Sequence, residues 1–556
     1  MSGEVGKGHG RHGGFLVGVV TAVFVTINPA LIYYSQETRM YALLGLWAVM
    51  STWLLVIWWK QPSLPIAAAY VLTAAAGLYT QYFFPTVLVA QNIAVLVWLV
   101  RRGKGQRARG TGQDGSGKWR MTGNLLRNLP ISQSPNLLIR WSAMMISTLL
   151  LYAPWLPIFV VQFSSEAVKR PSLLPFLQDV WRWLLFGATV TETAVVWPMG
   201  VALILLVVGI VNGRLRAILP LLMVITPISF MFLTGTTGPE FFKFLVVSVP
   251  MLIFLLALAL SGGWLNLWGR IVVLVLLLGL LPGSWQSLSN LYHNPAYARA
   301  DYRAMAARIE GEAHPNAGII LEAANQWEVF TYYFEDDSIV YPFPKGRSLP
   351  QADAIDAELA EIAMQHDRLY AIFWGELQRD PERLVERWLD AHAFKATDEW
   401  VGDVRFVTYA VPAGAASKME TAVFVPFGPS IQLNGFTLLE NELQPGDIVQ
   451  TTLFWQTAAP LDTRYKVFLH LLNEQGQLVA QRDSEPGGGL AMTTAWEPEQ
   501  TVADNHGILL PHDLPEGVYQ LVVGMYDIAS SEERLEVGGE TAVSDIYYLG
   551  EISVSN

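Results

Sequence analysis

Glu37 and Arg39 stand two residues apart in the stretch Asn28-Pro29-Ala30-Leu31-Ile32-Tyr33-Tyr34-Ser35-Gln36-Glu37-Thr38-Arg39-Met40-Tyr41. Apolar runs precede and follow them, so acid and base lie at the edge of an apolar phase, framed by three tyrosines. An unpaired carboxylate at such a boundary costs several kcal/mol. A carboxylate kept there can take a proton from a hydroxyl, and a guanidinium offers phosphate a planar fork of donors. The bland alternative is an aromatic belt with a snorkelling arginine.

The surrounding composition says what positions this pair. The chain has 556 residues, 52% of them hydrophobic and 15% charged, with 20 Trp and no Cys. An ordinary soluble domain carries about 25% charged residues. Zero cysteine excludes disulfide scaffolds, thiol catalysis and zinc-thiolate sites. The net charge of −12 divides into +13 for residues 1–290 and −25 for 291–556. This asymmetry predicts a membrane unit followed by a water-soluble one.

Nine apolar runs are expected to cross the membrane, at 15–34, 41–59, 64–80, 83–100, 141–163, 194–212, 217–235, 244–261 and 271–289, and none contains Asp, Glu, Lys or Arg. About 20 residues of helix cross a hydrocarbon core of about 30 Å. The first run is too long for the core of a cleaved leader and has no small-residue cleavage site. Residues 101–140 hold nine basic residues against the single acid Asp114; with the Gly/Ser/Gln-rich 103–118 they are expected to form a disordered cytoplasmic loop. Placing that loop inside puts Lys7, Arg11, Lys60, Arg214, Arg216 and Arg270 inside as well. Residues 1–14 become a cytoplasmic tail, in which His9 and His12 read as solvated. The C-terminal half becomes extracytoplasmic. Three outward segments share that side: 33–41, the long loop 164–193 and 236–240. The long loop holds Phe176-Leu177-Gln178-Asp179-Val180-Trp181-Arg182-Trp183-Leu184-Leu185-Phe186, whose spacing suits an amphipathic helix lying in the interface or one that seals the bundle.

The run Tyr33-Tyr34-Ser35-Gln36-Glu37-Thr38-Arg39-Met40-Tyr41-Ala42-Leu43-Leu44 closely resembles the signature after an early membrane helix in GT-C glycosyltransferases of the protein O-mannosyltransferase and aminoarabinose-transferase type. Gly77-Leu78-Tyr79-Thr80-Gln81-Tyr82 resembles the family segment ending Thr-His-Tyr, with Gln81 where His is common. Tyr152-Ala153-Pro154-Trp155-Leu156-Pro157 resembles its Pro-Trp helix. Phe241-Phe242-Lys243-Phe244-Leu245, followed by Pro250, resembles the helix that begins Arg-Tyr-Leu. These matches cover residues 15–290.

The resemblance implies inverting sugar transfer at the outer face from a polyprenyl-phosphate sugar, with no nucleotide. The acceptor is an envelope glycan, lipid or protein. Glu37 is the candidate catalytic base. Arg39, then Lys243, then the weaker Lys169-Arg170 are candidates for the donor phosphate, since cations stabilise the charge that builds on it. Tyr34, Ser35, Gln36, Tyr41, Gln81 and Tyr82 are expected to line the pocket. No cofactor is expected, and a divalent metal is left open. In this family the catalytic carboxylate usually sits in the first outer loop, and the sequence reads as beginning after that region. Glu37 would then have to substitute. Asp179, Glu192, Glu240 and the more peripheral Glu166 are the other comparably placed acids. The rival reading is a non-catalytic, membrane-anchored scaffold that displays its C-terminal part to envelope glycans. A flippase is a further rival, though no ionisable group lies inside the runs.

The acidic half divides in two. Residues 291–415 predict a small α/β domain, with helices at 301–309, 352–364 and 380–391 and strands at 318–321, 369–374 and 405–411. Glu335-Asp336-Asp337 reads as a solvated turn. Residues 420–556 predict an antiparallel β-sandwich with strands at 431–438, 448–455, 465–472, 478–482, 517–526 and 545–554. Trp455, Tyr465, Trp496 and Tyr526 either pack its core or present a sugar-stacking platform, and Pro486-Gly487-Gly488-Gly489 reads as a flexible loop. Basic charge is concentrated in the loops expected to be cytoplasmic, and the C-terminal half is strongly acidic, so no nucleic-acid partner is expected.

The absence of cysteine makes the topology directly testable. In single-thiol variants Ser35→Cys and Ser116→Cys, an impermeant maleimide applied to intact cells is expected to label only the first. The reverse pattern overturns the orientation.

Overall fold

The computed structural model describes residues 5–37, 39–110, 135–162, 172–262, 265–322, 326–336, 339–343, 351–375, 380–412, 418–538 and 544–555. The chain forms two compact units, Met1–Asn294 and Pro295–Asn556.

The first unit is helical. Its helices are α1 (Val5–Thr26), α2 (Pro29–Ser35), α3 (Tyr41–Lys60), α4 (Leu64–Thr80), α5 (Pro85–Gly110), α6 (Pro135–Tyr152), α7 (Leu156–Gln162), α8 (Leu173–Phe186), α9 (Glu192–Gly213), α10 (Ile218–Thr234), α11 (Val249–Ala257), α12 (Leu267–Leu278) and α13 (Leu281–His293). Four described helical stretches are long and apolar enough to cross a membrane: Tyr41–Lys60, Leu137–Val160, Glu192–Thr234 and Leu267–His293. The number is six if each of two bent pairs counts as one span, and Leu64–Thr80 and Pro85–Arg101 are shorter apolar helices.

Several expected runs are broken, each for a local reason. The run 15–34 bends by 52° between Thr26 and Pro29. Pro29 has no N–H to continue the helix, and Asn28 starts a new one by accepting from Leu31 N at 3.2 Å. The run 244–261 is entered through a 3-10 helix, Pro239–Val247, that meets the following helix at 62° beside Pro250. The runs 194–212 and 217–235 lie on one stretch interrupted at Arg214, whose φ of 49° ends α9. Helix also extends beyond two expected boundaries. It starts at Val5, inside the expected tail, and α5 continues to Gly110, into the expected disordered loop, where Arg, Lys and Gln are good helix formers. Residues 111–134 lie outside the described set.

Buried polar groups tie the helices together. Gln91 of α5 donates to Ser51 Oγ at 3.0 Å and Thr52 Oγ1 at 3.2 Å on α3, and accepts from Tyr70 OH on α4 at 2.5 Å. Trp141 of α6 donates to Asn92 Oδ1 at 2.8 Å. Gly209 permits the closest backbone approach: a Cβ there would lie 1.9 Å from Leu255 O of α11.

The second unit begins with α14 (Tyr302–Glu312), β1 (Ala317–Glu322), α15 (Trp327–Phe330), β2 (Val340–Pro342), α16 (Ala352–Ala363), β3 (Arg368–Phe373), α17 (Leu384–His392), β4 (Phe394–Val401) and β5 (Val404–Ala410). The five strands pair in the order β2-β1-β3-β5-β4. β1 is parallel to both β2 and β3, and the β3–β5 and β5–β4 pairs are antiparallel. Side chains of α14 and α15 cover one face (Met305, Ile309, Phe330) and those of α16 and α17 the other (Leu359, Ile362, Leu389). Burial on both faces explains why β1 and β3 are continuous apolar runs. The third helix starts four residues later than expected. Asp380 accepts from Val385 N at 3.0 Å across the intervening turn, and Arg383 has φ 53°. Glu335 and Asp336 are exposed; Asp337 lies outside the described residues.

The remaining strands are β6 (Thr421–Phe427), β7 (Ile431–Leu438), β8 (Glu442–Leu443), β9 (Ile448–Thr457), β10 (Tyr465–Leu472), β11 (Leu478–Ser484), β12 (Val502–Leu509), β13 (Gly517–Asp527), β14 (Ser530–Arg534) and β15 (Tyr547–Val554). They form a four-stranded sheet, β12-β9-β7-β6, and a six-stranded sheet, β11-β10-β13-β15-β8 with β14 on β13. One core joins them, including Trp455, Trp496, Leu469 and Val523. Trp455 and Trp496 are therefore packing residues with no face to offer a sugar. Tyr465 and Tyr526 are half-buried, and Tyr526 OH donates to Asp483 at 3.2 Å.

A buried ion network holds β4 against α17. Lys395 Nζ lies 2.9 Å from Glu386 Oε1 and 2.8 Å from Asp390 Oδ1, and all three side chains are at most 5% exposed. Arg405 adds a 2.6 Å contact to Glu386, and Tyr409 OH donates to Asp390 at 2.9 Å. Burial pushes both carboxyls up. At Glu386 the charges of Lys395 and Arg405 outweigh it and bring the group to about 2. At Asp390 burial prevails over Lys395, with help from the Glu386 charge, and holds it at about 6.

Lys395→Met strands two buried carboxylates and is expected to cost about 3–5 kcal/mol, read as lost hydrogen-exchange protection of β4. Asp390 takes up its proton in the fold near pH 6 but in the unfolded chain only near 3.8, so it adds stability as pH falls through that window. Glu386 acts oppositely, withdrawing stability as pH falls from 4.5 toward 2. Asp390→Asn is expected to flatten the upper window and leave the lower one.

Candidate functional site

The site is built where α2 gives way to α3. Asn28, 4% exposed, caps α2 and also donates to Leu184 O at 3.1 Å and Leu185 O at 3.3 Å on α8. Gly187, at φ 76°, ends α8 against α2, and a Cβ on it would lie 3.0 Å from Ala30 N. Thr189, Ser287 and Asn290 then fasten α13 to the end of α8 through bonds of 2.6–2.8 Å. These contacts fix the direction in which residues 33–41 leave the apolar core.

Tyr34 and Tyr41 are both buried, their rings 5.3 Å apart and edge to face. Trp183 of α8 packs 5.8 Å from Tyr34, and Phe244 lies 6.2 Å from Tyr41. Phe83 stacks on Phe244 at 5.5 Å, and Phe242 meets Trp183 at 6.3 Å. Half-buried Lys243 holds its Nζ 5.7 Å above the Tyr41 ring and 5.9 Å above that of Phe244. The segments 33–41, 82–83 and 241–245 thus meet at one end of the helical unit, with α8 closing them.

Glu37 is half-buried, with its Oε2 shielded from solvent. Arg39 is exposed, two residues before the buried Tyr41. Ser35 and Gln36 are also exposed; Ser35 Oγ donates to Ile32 O at 2.8 Å, and the Gln36 amide bonds to Tyr292 OH of α13. Gln81 is half-buried in extended backbone after α4. Tyr82 turns away from the Lys243 group, accepting from Trp155 Nε1 at 3.2 Å and packing 5.5 Å from Phe159. Its neighbour Phe83, and not Tyr82, packs on Phe244. Asp179 is paired with Arg182 at 3.2 Å, and Glu192 and Glu240 are exposed. Glu166, Lys169 and Arg170 lie outside the described residues.

Phe83 and Tyr292 carry no signal in the sequence. The segment 176–186 forms a helix as expected from its spacing, and Phe176, Val180 and Trp183 are its buried stripe. Chemically, the arrangement sets the Lys243 ammonium over the Tyr41 and Phe244 rings, and the half-buried Glu37 and the exposed Arg39 precede Tyr41 in its own segment. No group of three or more His, Asp or Glu among the described residues is placed to hold a metal ion.

Lys243 is held by cation–π contacts worth about 0.5–1 kcal/mol at partly exposed sites. Lys243→Met is therefore expected to lower unfolding stability by no more than about 1 kcal/mol, so a larger functional loss in this variant reports on chemistry and not on folding. Neither the family models nor the curated proteins compared with the chain give a match.

Proposed function

We propose that the chain is a membrane glycosyltransferase of the GT-C type, transferring a sugar from a polyprenyl-phosphate donor to an envelope acceptor on the outer face. The observation that carries this reading is the convergence of Tyr34, Tyr41, Phe83, Lys243 and Phe244. Tyr34 and Tyr41 come from one segment and Lys243 and Phe244 from another, distant in sequence and each resembling a part of that family, while Phe83 directly follows a third such segment. Their shared packing at one end of the helical unit supports a site there. The nine apolar runs are read as spans, the paired six- and four-stranded sheets as a β-sandwich, and the acidic half as extracytoplasmic.

In this reading Arg39, exposed and flexible, takes the donor phosphate bidentately, and Lys243 adds a point charge. Both stabilise the phosphate as the bond to the anomeric carbon breaks. Glu37 removes the proton of the acceptor hydroxyl as it attacks from the opposite face, which inverts the centre. The aromatic floor excludes water, which strengthens each charge. The exposed Leu173, Leu174 and Leu177 of α8 offer a surface for the lipid tail.

The full chain in proteoliposomes, given polyprenyl-phosphate sugars, is expected to release polyprenyl phosphate. Arg39→Ala and Glu37→Gln are expected to lower that turnover by about 100-fold or more. Turnover that is unchanged in both variants removes these residues from the site. No turnover by the unaltered chain with any donor favours the scaffold reading.

A further inference from the structure

A groove of about 780 Å³ opens in the helical unit between the C-terminal end of α3, the first half of α4 and the start of α6. It lies at the opposite end of α3 from Tyr41, about 30 Å away for a 20-residue helix. Its lining is mostly apolar, including Trp58, Ala67, Val71, Ala143 and Met144, with Ser63 and Ser147 among it and Arg140 as its charged residue. Lys60, exposed in the last turn of α3, lies at the same end of that helix as Trp58.

We propose that this groove binds an anionic phospholipid, its acyl chain along the apolar walls and its phosphate on Arg140. The proposal rests on the helical unit lying in a bilayer and is independent of any transferase activity. Three observations select the occupant. The walls are apolar and the flanking Leu64 and Leu72 are 81% and 65% exposed, so the body of the ligand must be hydrocarbon. The only charged residue of the lining is a cation, with no Asp or Glu among the lining residues to balance it, so the head must carry net negative charge. Arg140 is the first of the four lining residues on α6, ahead of Ala143, Met144 and Ser147, which matches an amphiphile whose charge is terminal. Juxtamembrane cations act on anionic lipid with about 1 kcal/mol each, a preference of about fivefold over a zwitterionic head. Arginine suits the contact because its fork binds two phosphate oxygens.

The test uses native mass spectrometry of the full chain in detergent, titrated separately with phosphatidylglycerol and phosphatidylcholine of identical acyl chains. The unaltered protein is expected to retain phosphatidylglycerol about fivefold more strongly. Arg140→Gln is expected to bring the ratio close to one, Arg140→Lys to keep most of it, and Ala68→Trp, which fills the groove, to weaken retention of both lipids. Arg216→Gln, outside the lining, is expected to change nothing. Equal retention of the two lipids by the unaltered protein overturns the proposal. So does a phosphatidylglycerol preference that persists in Arg140→Gln, or retention of both lipids that is undiminished in Ala68→Trp. Should Arg140→Gln not fold, the Ala68→Trp comparison decides.

Discussion

One buried amide, Asn28, governs the geometry of the end of the helical unit that carries Tyr34 and Tyr41. Its oxygen starts α2 and its nitrogen ties that start to the last carbonyls of α8. An apolar helix running straight through this point would carry Tyr33 and Tyr34 onward along its own axis. The 52° bend turns them against Trp183 instead. The bond works because every group in it is starved of water. In such surroundings a hydrogen bond approaches its full strength, and an unmade one costs about 1–3 kcal/mol. The close approach of Gly187 to Ala30 completes the lock.

The same economy of polar groups recurs in both units. In the helical unit each buried amide answers a specific hydroxyl or carbonyl. In the other, β4 carries a lysine into a water-free interior, and α17 supplies two carboxylates to meet it. Lys395 Nζ also reaches Gly488 O, and Asn505 of β12 reaches Ala391 O at 3.2 Å. The five-stranded sheet and the larger pair of sheets are therefore joined by directional bonds as well as by the small apolar contact of Phe394, Ala396, Ala410 and Ile448. Apolar burial supplies bulk stability here, and the paired charges supply registry.

Elements announced by uninterrupted local pattern were legible in the sequence: the apolar helices, the doubly buried β1 and β3, and alternating strands such as β7 and β10. Elements that depend on a distant partner were not. β4 is not among the expected strands because its buried Lys395 interrupts the apolar pattern, and the counterions that make it tolerable lie on α17. Asp504, Asn505 and His506 hid β12. They are tolerable in a strand only because Asp504 accepts from Trp455 and meets His506 at 2.6 Å. Pro426 obscured β6, which it can occupy as an edge strand. In the candidate site, Tyr34, Tyr41 and Lys243 came together as the motifs suggested. Phe83 stands beside Phe244 where Tyr82 was expected, since which of two adjacent aromatics points inward depends on the tight turn after α4. The pocket wall contributed by α8 and α13 arises from tertiary packing, which no motif records.

The hydrogen-bonded set of Ser51, Thr52, Tyr70 and Gln91 bears on how the protein is made. Its members are contributed by α3, α4 and α5, which leave the ribosome in that order. A hairpin of α3 and α4 alone holds a tyrosine hydroxyl with no acceptor from α5, and α5 alone would bring a primary amide into hydrocarbon unanswered. Each of these polar groups gains its partner only when the three helices pack, so the set favours the assembled trio of α3, α4 and α5 over any one or two of them alone.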